Sequence, residues 1–169
     1  MASIIKVDTI QTAAGGTPTA ADLGLNVTGS VLQVVQDVNG NEFSLNGTST
    51  AYFDSPLSIT ITPKSSTSKF LIQWCFENIY ISGSGQGISC RVTKDGSPLF
   101  TPGVGYSVWS IDTGTHYNYN NMYFDESTHT TSPITYTIQA RLYTDNNTRV
   151  DFNDAGYFQD TMIIQEIAG

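Results

Sequence analysis

Chemistry in a protein starts from imidazoles, thiols, paired carboxylates and exposed hydroxyls, and this chain holds two histidines and two cysteines. His116 and His129 lie in polar, loop-like stretches with no Cys or carboxylate at a ligand spacing beside them, so neither is expected to bind metal or move protons. Cys90 alternates with Ile88 and Val92, which reads as a free core thiol. A Cys75–Cys90 disulfide would need the two strands to pair, and a cytosolic product argues against it. No Gly-x-Ser-x-Gly elbow occurs. Gly83-Ser84-Gly85-Gln86-Gly87 joins two strand-like segments, whereas a phosphate-cradling loop should open a helix. Asp151 to Gly156 has a faint calcium-loop pattern, but Ala155 stands where an oxygen ligand is needed and Met162 where a bidentate Glu is needed. Asp125 and Glu126 are adjacent, so on a strand they point to opposite faces. A glycosidase pair formed across distant loops, and with it a depolymerase, stays open. The residues name no catalytic side chain, metal or cofactor, and the expectation is a non-enzymatic protein.

One cluster stands out. Tyr106, Trp109, His116, Tyr117, Tyr119 and Tyr123 concentrate aromatic rings among Gly, Ser and Asn. Aromatic faces with amides and hydroxyls suit neutral sugars. They also suit protein interfaces. A third reading is plain core, since Tyr117, Tyr119 and Tyr123 share one parity. All three readings stay open at this point.

The elements that must position these groups are strands. Charged residues are 13% of the 169-residue chain, about half the usual ~25%. Thr, Ser, Asn and Gly replace them, a mixture for half-wet strands and tight turns. The net charge is −8 with no basic patch, which argues against nucleic acid and anionic lipid as partners. Met1 to Lys6 does not read as a signal peptide, and no apolar run approaches the ~20 residues that span a bilayer.

From Ser30 onward the pattern is strand after strand. Leu57, Ile59 and Ile61 alternate with Ser58, Thr60 and Thr62. Phe70, Ile72, Trp74 and Phe76 alternate in a long strand, and Tyr136, Ile138, Ala140 and Leu142 in another. Asn39-Gly40 and Lys94-Asp95-Gly96 are turn signals. Met162-Ile163-Ile164 is apolar on both faces, as in a central strand covered on both sides. About nine strands at roughly ten-residue spacing predict an all-β, antiparallel two-sheet sandwich of jelly-roll form over residues 31–169.

Residues 1–30 differ. A β-prone stretch, Ile4 to Ile10, precedes a small-residue run broken by Gly15, Gly16 and Pro18, with at most a helical turn at Thr19 to Leu25. This is an extended arm with too few large side chains for a core of its own. Ile4, Ile5, Val7 and Ile10 are expected to anchor it on another molecule.

Two sets of residues carry a resemblance. The opening, Ile4-Ile5-Lys6-Val7-Asp8-Thr9-Ile10-Gln11, resembles the N-terminus of small fibre-like structural proteins of phages infecting cyanobacteria and marine bacteria. Leu57 to Pro63 with Lys69-Phe70-Leu71-Ile72, Arg91-Val92-Thr93-Lys94-Asp95-Gly96 and Ile163-Ile164-Gln165-Glu166-Ile167-Ala168-Gly169 resemble their compact C-terminal domain. The resemblance implies a virion protein assembled in the host cytoplasm, a homotrimer docked by its N-terminus on capsid, neck or tail. The repetitive shaft of long fibres is missing, which implies a short appendage or a decoration (cement) protein. A host-receptor or glycan-binding module is the alternative.

Overall fold

In the computed structural model the described residues are 11, 13–18, 23, 27–46, 50–100, 108–110, 112, 114–144, 148–156 and 158–169. The arm anchors Ile4, Ile5, Val7 and Ile10, the Thr19–Leu25 turn except Leu23, and Tyr106 lie outside them.

The elements are β1 (Val31–Asn39), β2 (Phe43–Leu45), β3 (Phe53–Ile61), β4 (Lys69–Ile81), β5 (Gln86–Lys94), β6 (Ser97–Pro98), β7 (Val108–Ser110), β8 (Thr115–Asp125), β9 (Ile134–Leu142), β10 (Val150–Phe152) and β11 (Asp160–Ile167), with a single 3-10 turn at Asp154–Gly156. Every strand pairing is antiparallel. The described strands number eleven and fall into eight columns, three of them split in two, where the sequence pattern predicts about nine strands. β11 pairs with Lys69–Cys75 of β4, and β10 pairs with Tyr80 and Ile81 on the same side. β8 runs along the other side of β4. β1 flanks β11 and β2 flanks β10. The first sheet therefore has four columns, β1/β2, β11/β10, β4 and β8. The second has β3, β9, β5 and β6/β7.

Counting columns in chain order, the sheets read 1-8-3-6 and 2-7-4-5. Eight antiparallel strands wound in that order are a jelly roll, two Greek keys wrapped into a sandwich. The sequence reading of an all-β, two-sheet sandwich is therefore met, and the strand order supplies the topology. The pairing starts slightly before residue 31: Gly29 N donates to Ala168 O and Ala168 N to Ser30 O, each at 2.8 Å.

The core lies between the sheets. Leu57, Phe70, Ile72, Phe76, Ile88, Val92, Tyr136, Ile138 and Ile164 are fully buried there, each from the alternating positions that face inward. The alternation in β4 changes phase once. Burial falls on even positions through Phe76 and on odd positions from Ile79. A bulge at Glu77 and Asn78 inserts the extra residue. Asn78 takes a left-handed φ of 52°, which Asn tolerates better than most residues. Its Nδ2 donates to Asp154 O at 2.6 Å, and its N–H donates to Asn118 Oδ1 at 3.0 Å. The bulge also marks where β11 gives way to β10 as the neighbour of β4.

A tight turn closes β5 onto β6. Asp95 and Gly96 have φ of 50° and 78°, the type I′ geometry expected of Asp-Gly. Cys90 faces the core and is buried; Cys75 lies on the outer face of the other sheet, and neither is in a disulfide. The disulfide alternative is excluded because the two strands lie in different sheets.

Candidate functional site

The two outer faces of the sandwich differ in chemistry. On the second sheet the outward positions are mostly Ser, Thr, Gln, Asp and Arg, wet along β3 and β9, while Ser89 and Thr93 on β5 are buried. Ser58 Oγ and Thr137 Oγ1 meet at 2.9 Å, and Thr60 Oγ1 and Thr135 Oγ1 at 2.8 Å. Arg91 Nε donates to Gln139 Oε1 at 2.8 Å, and its guanidinium lies 3.8 Å from the centre of the Tyr52 ring.

The first sheet presents an apolar outer face. The register places its outward residues in rows across the four columns: Val31, Ile167 and Lys69; Val34, Gln165, Leu71 and Phe124; Gln36, Ile163, Gln73 and Met122; Val38, Thr161, Cys75 and Asn120. Val31, Val34, Val38, Met122 and Phe124 are 42–62% exposed. Leu71, Ile163 and Ile167 are half-buried beside them. A groove of about 290 Å³ crosses the face, lined by Gln73, Cys75, Asn120, Met122, Thr161 and Ile163.

Among the described residues Lys69 and Glu126 pair at 2.6 Å on the margin of this face, and Glu77 stands close enough to Cys75 for its charge to act on the thiol. Gln165 Nε2 donates to Gln73 Oε1 at 3.5 Å within it. Burial raises the Cys75 thiol, with Glu77 and Asp160 adding to the shift, so this thiol is a poor nucleophile at neutral pH. The arrangement can bury apolar area against another molecule, and it carries no catalytic constellation. Contiguous apolar patches of this kind mark interaction sites.

The sequence offered a signal for this face. Val34-Val35, Phe70-Leu71-Ile72 and Ile163-Ile164 are continuous apolar pairs and triplets where a half-wet strand should alternate. The reading of β11 as central is correct, since it lies between β1 and β4. Its coverage on both sides is not found: among the described residues nothing covers Ile163 and Ile167 fully, and they are only half-buried.

The aromatic cluster is divided by the fold. Tyr119 is buried, its ring 6.5 Å from Trp74. Tyr117 and Tyr123 pack at the core margin, and Tyr123 stacks on Phe100 at 4.8 Å. His116 is exposed, with its ring 5.1 Å from Tyr80 and its Nε2 3.2 Å from Asp154 Oδ2. Trp109 sits on β7, which pairs with β5 and not with β8. The members whose side chains are described, His116, Tyr117, Tyr119 and Tyr123, thus divide between the surface, the core margin and the core. His129 accompanies Phe70, its ring 5.0 Å away.

Acidic side chains at the rejected motifs are occupied. Asp151 is buried, taking a hydrogen bond from Arg149 Nε at 2.5 Å and from Ser44 Oγ at 2.6 Å. Among the described residues no group of three or more His, Cys, Asp or Glu is placed to hold a metal ion. Among them, too, no helix is long and apolar enough to cross a membrane.

No family model and no curated protein matches the sequence. Among solved structures the chain is similar to the VP2 subviral particle of infectious bursal disease virus, at 13% identity and a TM-score of 0.48, over 80% of this chain and 37% of that one. It is also similar to the Gx strain structure of that virus, at 14% identity and a TM-score of 0.39, over 83% of this chain and 39% of that one. The chain thus spans well under half of the viral chains it matches. The jelly-roll assignment rests on the strand order of this chain alone.

Proposed function

We propose that this chain is a structural protein of a bacteriophage particle: a short appendage or decoration protein that associates with copies of itself and is docked to the particle by its N-terminal arm. The observation that carries the reading is the apolar outer face of the first sheet. A contiguous apolar sheet face of this kind marks a surface that another protein covers. The arm supports the same reading. Ile4, Ile5, Val7 and Ile10 contribute roughly 1.5–3 kcal/mol for each side chain fully buried on a partner. Three copies are the arrangement that the sequence resemblance implies.

The test is incorporation. A chain lacking residues 1–28 keeps Gly29 and Ser30, whose backbone pairs with Ala168. It should fold, with an unchanged unfolding midpoint, and be missing from particles assembled in its presence. Normal incorporation without the arm would remove the docking role.

Glycan or receptor contact is the second reading. Exposed His116 beside the Tyr80 ring and the Asp154 carboxylate is the spot that favours it. A glycan array with His116→Ala as control decides it, and an array with no bound sugar leaves it without support.

A further inference from the structure

We infer that the outer face of the first sheet is covered by a second copy of this chain, packed face to face. The inference rests on the proposed self-association and names the surface that carries it.

Three observations select this occupant. The first is charge. The molecule carries −8 overall, yet among the described residues of this face Lys69 and Glu126 cancel and Glu77 beside Cys75 is the one charge left over. Two copies repel each other least across a nearly neutral surface, and an oppositely charged partner finds little there to steer it. The second is self-complementarity. The polar groups among the aliphatic ones are Gln36, Gln73, Asn120, Thr161 and Gln165. Amides and hydroxyls both donate and accept, so such a surface satisfies a copy of itself, as a contact about a twofold axis requires. The third is area. Four columns about 4.8 Å apart and seven residues at about 3.4 Å rise make a plate of roughly 19 by 24 Å. Such a plate, about 460 Å² in projection, is smaller than the ~800 Å² per partner of a standard interface and fits a weaker, concentration-dependent pair.

The two cysteines supply the readout. Cys75 lies in the groove, in the last of the four rows of the face, and Cys90 is sealed in the core. In the full-length protein, mass by light scattering and maleimide labelling followed by mass spectrometry are measured together across a dilution series. The expected result is a mass of two chains or a multiple of two, with Cys75 protected, and Cys75 labelled on dilution to one chain. Val34→Lys with Met122→Lys should give single chains with Cys75 labelled, while Cys90 stays unlabelled and so reports an intact fold. A single-chain or a three-chain mass at micromolar concentration would overturn the inference, the latter in favour of the threefold arrangement that the sequence resemblance implies. So would an assembly that survives the two lysines with Cys75 equally reactive before and after; that result leaves the structural-protein reading standing on another surface. Cys75 protected in a species of one chain would assign the face to the chain's own arm and overturn it as well. Loss of particle incorporation on deleting the arm is a separate readout, so the two proposals fail independently.

Discussion

The Tyr136 hydroxyl donates to Asp125 Oδ2 at 2.7 Å and so joins the two sheets through the core. Lys94 Nζ lies 3.1 Å from the same oxygen, and Ser127 N donates to Asp125 Oδ1 at 2.8 Å. Strands β5, β8 and β9 thus converge on one carboxylate that is 2% exposed. Burial alone would raise this carboxyl; the hydrogen bonds from Ser127, Tyr136 and Lys94 outweigh it and hold the group below the usual carboxylate range.

Tyr136→Phe keeps the ring and leaves Asp125 short of one donor. The expected loss is about 1–3 kcal/mol, read as a lower urea midpoint at unchanged slope. Because the Asp125 pKa is depressed by folding, its contribution is present at neutral pH and fades as the pH falls through the folded value. The gap between wild type and variant should therefore close in acid. A gap that stays constant to pH 3 would argue against the carboxylate as the partner.

Asp160 has the opposite sign. It is fully buried, accepts from Glu77 N at 2.9 Å, and its Oδ2 finds no hydrogen-bond partner among the described residues. Burial pushes its carboxyl up to about 7, with the Glu77 charge adding and the Glu77 N–H opposing. An unfolded Asp ionises near ~3.9. The folded chain therefore keeps the proton longer, and stability falls as the pH rises from about 4 to about 7, then levels. Asp160→Asn retains a neutral acceptor and removes this slope. Its thermal midpoint should exceed that of wild type at pH 8, by the equivalent of about 1–4 kcal/mol, and the excess should shrink towards pH 5. Parallel midpoint curves over that range would refute the assignment.

The bulge in β4 depends on a left-handed residue. Asn78→Val places a β-branched side chain at φ 52° and removes the bond to Asp154 O, at a cost of about 1–3 kcal/mol. Asn78→Gly keeps the backbone and should lose less. Equal losses in the two variants, measured by denaturant unfolding, would mean that the backbone conformation is not what matters.

Facing is testable by a matched pair. Ile138 is fully buried, and Ile138→Ala should cost about 2–5 kcal/mol. Thr137, its neighbour on the wet face, bonds to Ser58, and Thr137→Val should fall within about 1 kcal/mol. Comparable losses would mean that the strand register is shifted by one residue.

Much of the architecture is legible in the residues one at a time. Ile59, Ile72, Val92 and Ile138 each stand at alternating positions, and a pleated strand turns that spacing directly into one buried face. Asp95-Gly96 names its own turn. The class, the inward faces and most strand limits follow because they depend on near neighbours in the chain. The bulge at Asn78 does not follow, since a phase change inside an apolar run looks the same as a run covered on both sides. The convergence of Lys94, Asp125 and Tyr136 also waits for the fold, because partners 11 to 42 residues apart meet only through the column order.

The candidate face shows the same division. Val34, Leu71, Ile163 and Met122 are individually visible as apolar residues out of step with alternation. That they share one outer surface is decided by the register of four columns drawn from distant parts of the chain. By itself the sequence determines which side chains must leave water, because transfer from water is a property of each residue. Only the tertiary structure decides which of them the chain covers for itself and which it leaves for another molecule, because that depends on how many layers the chain can stack.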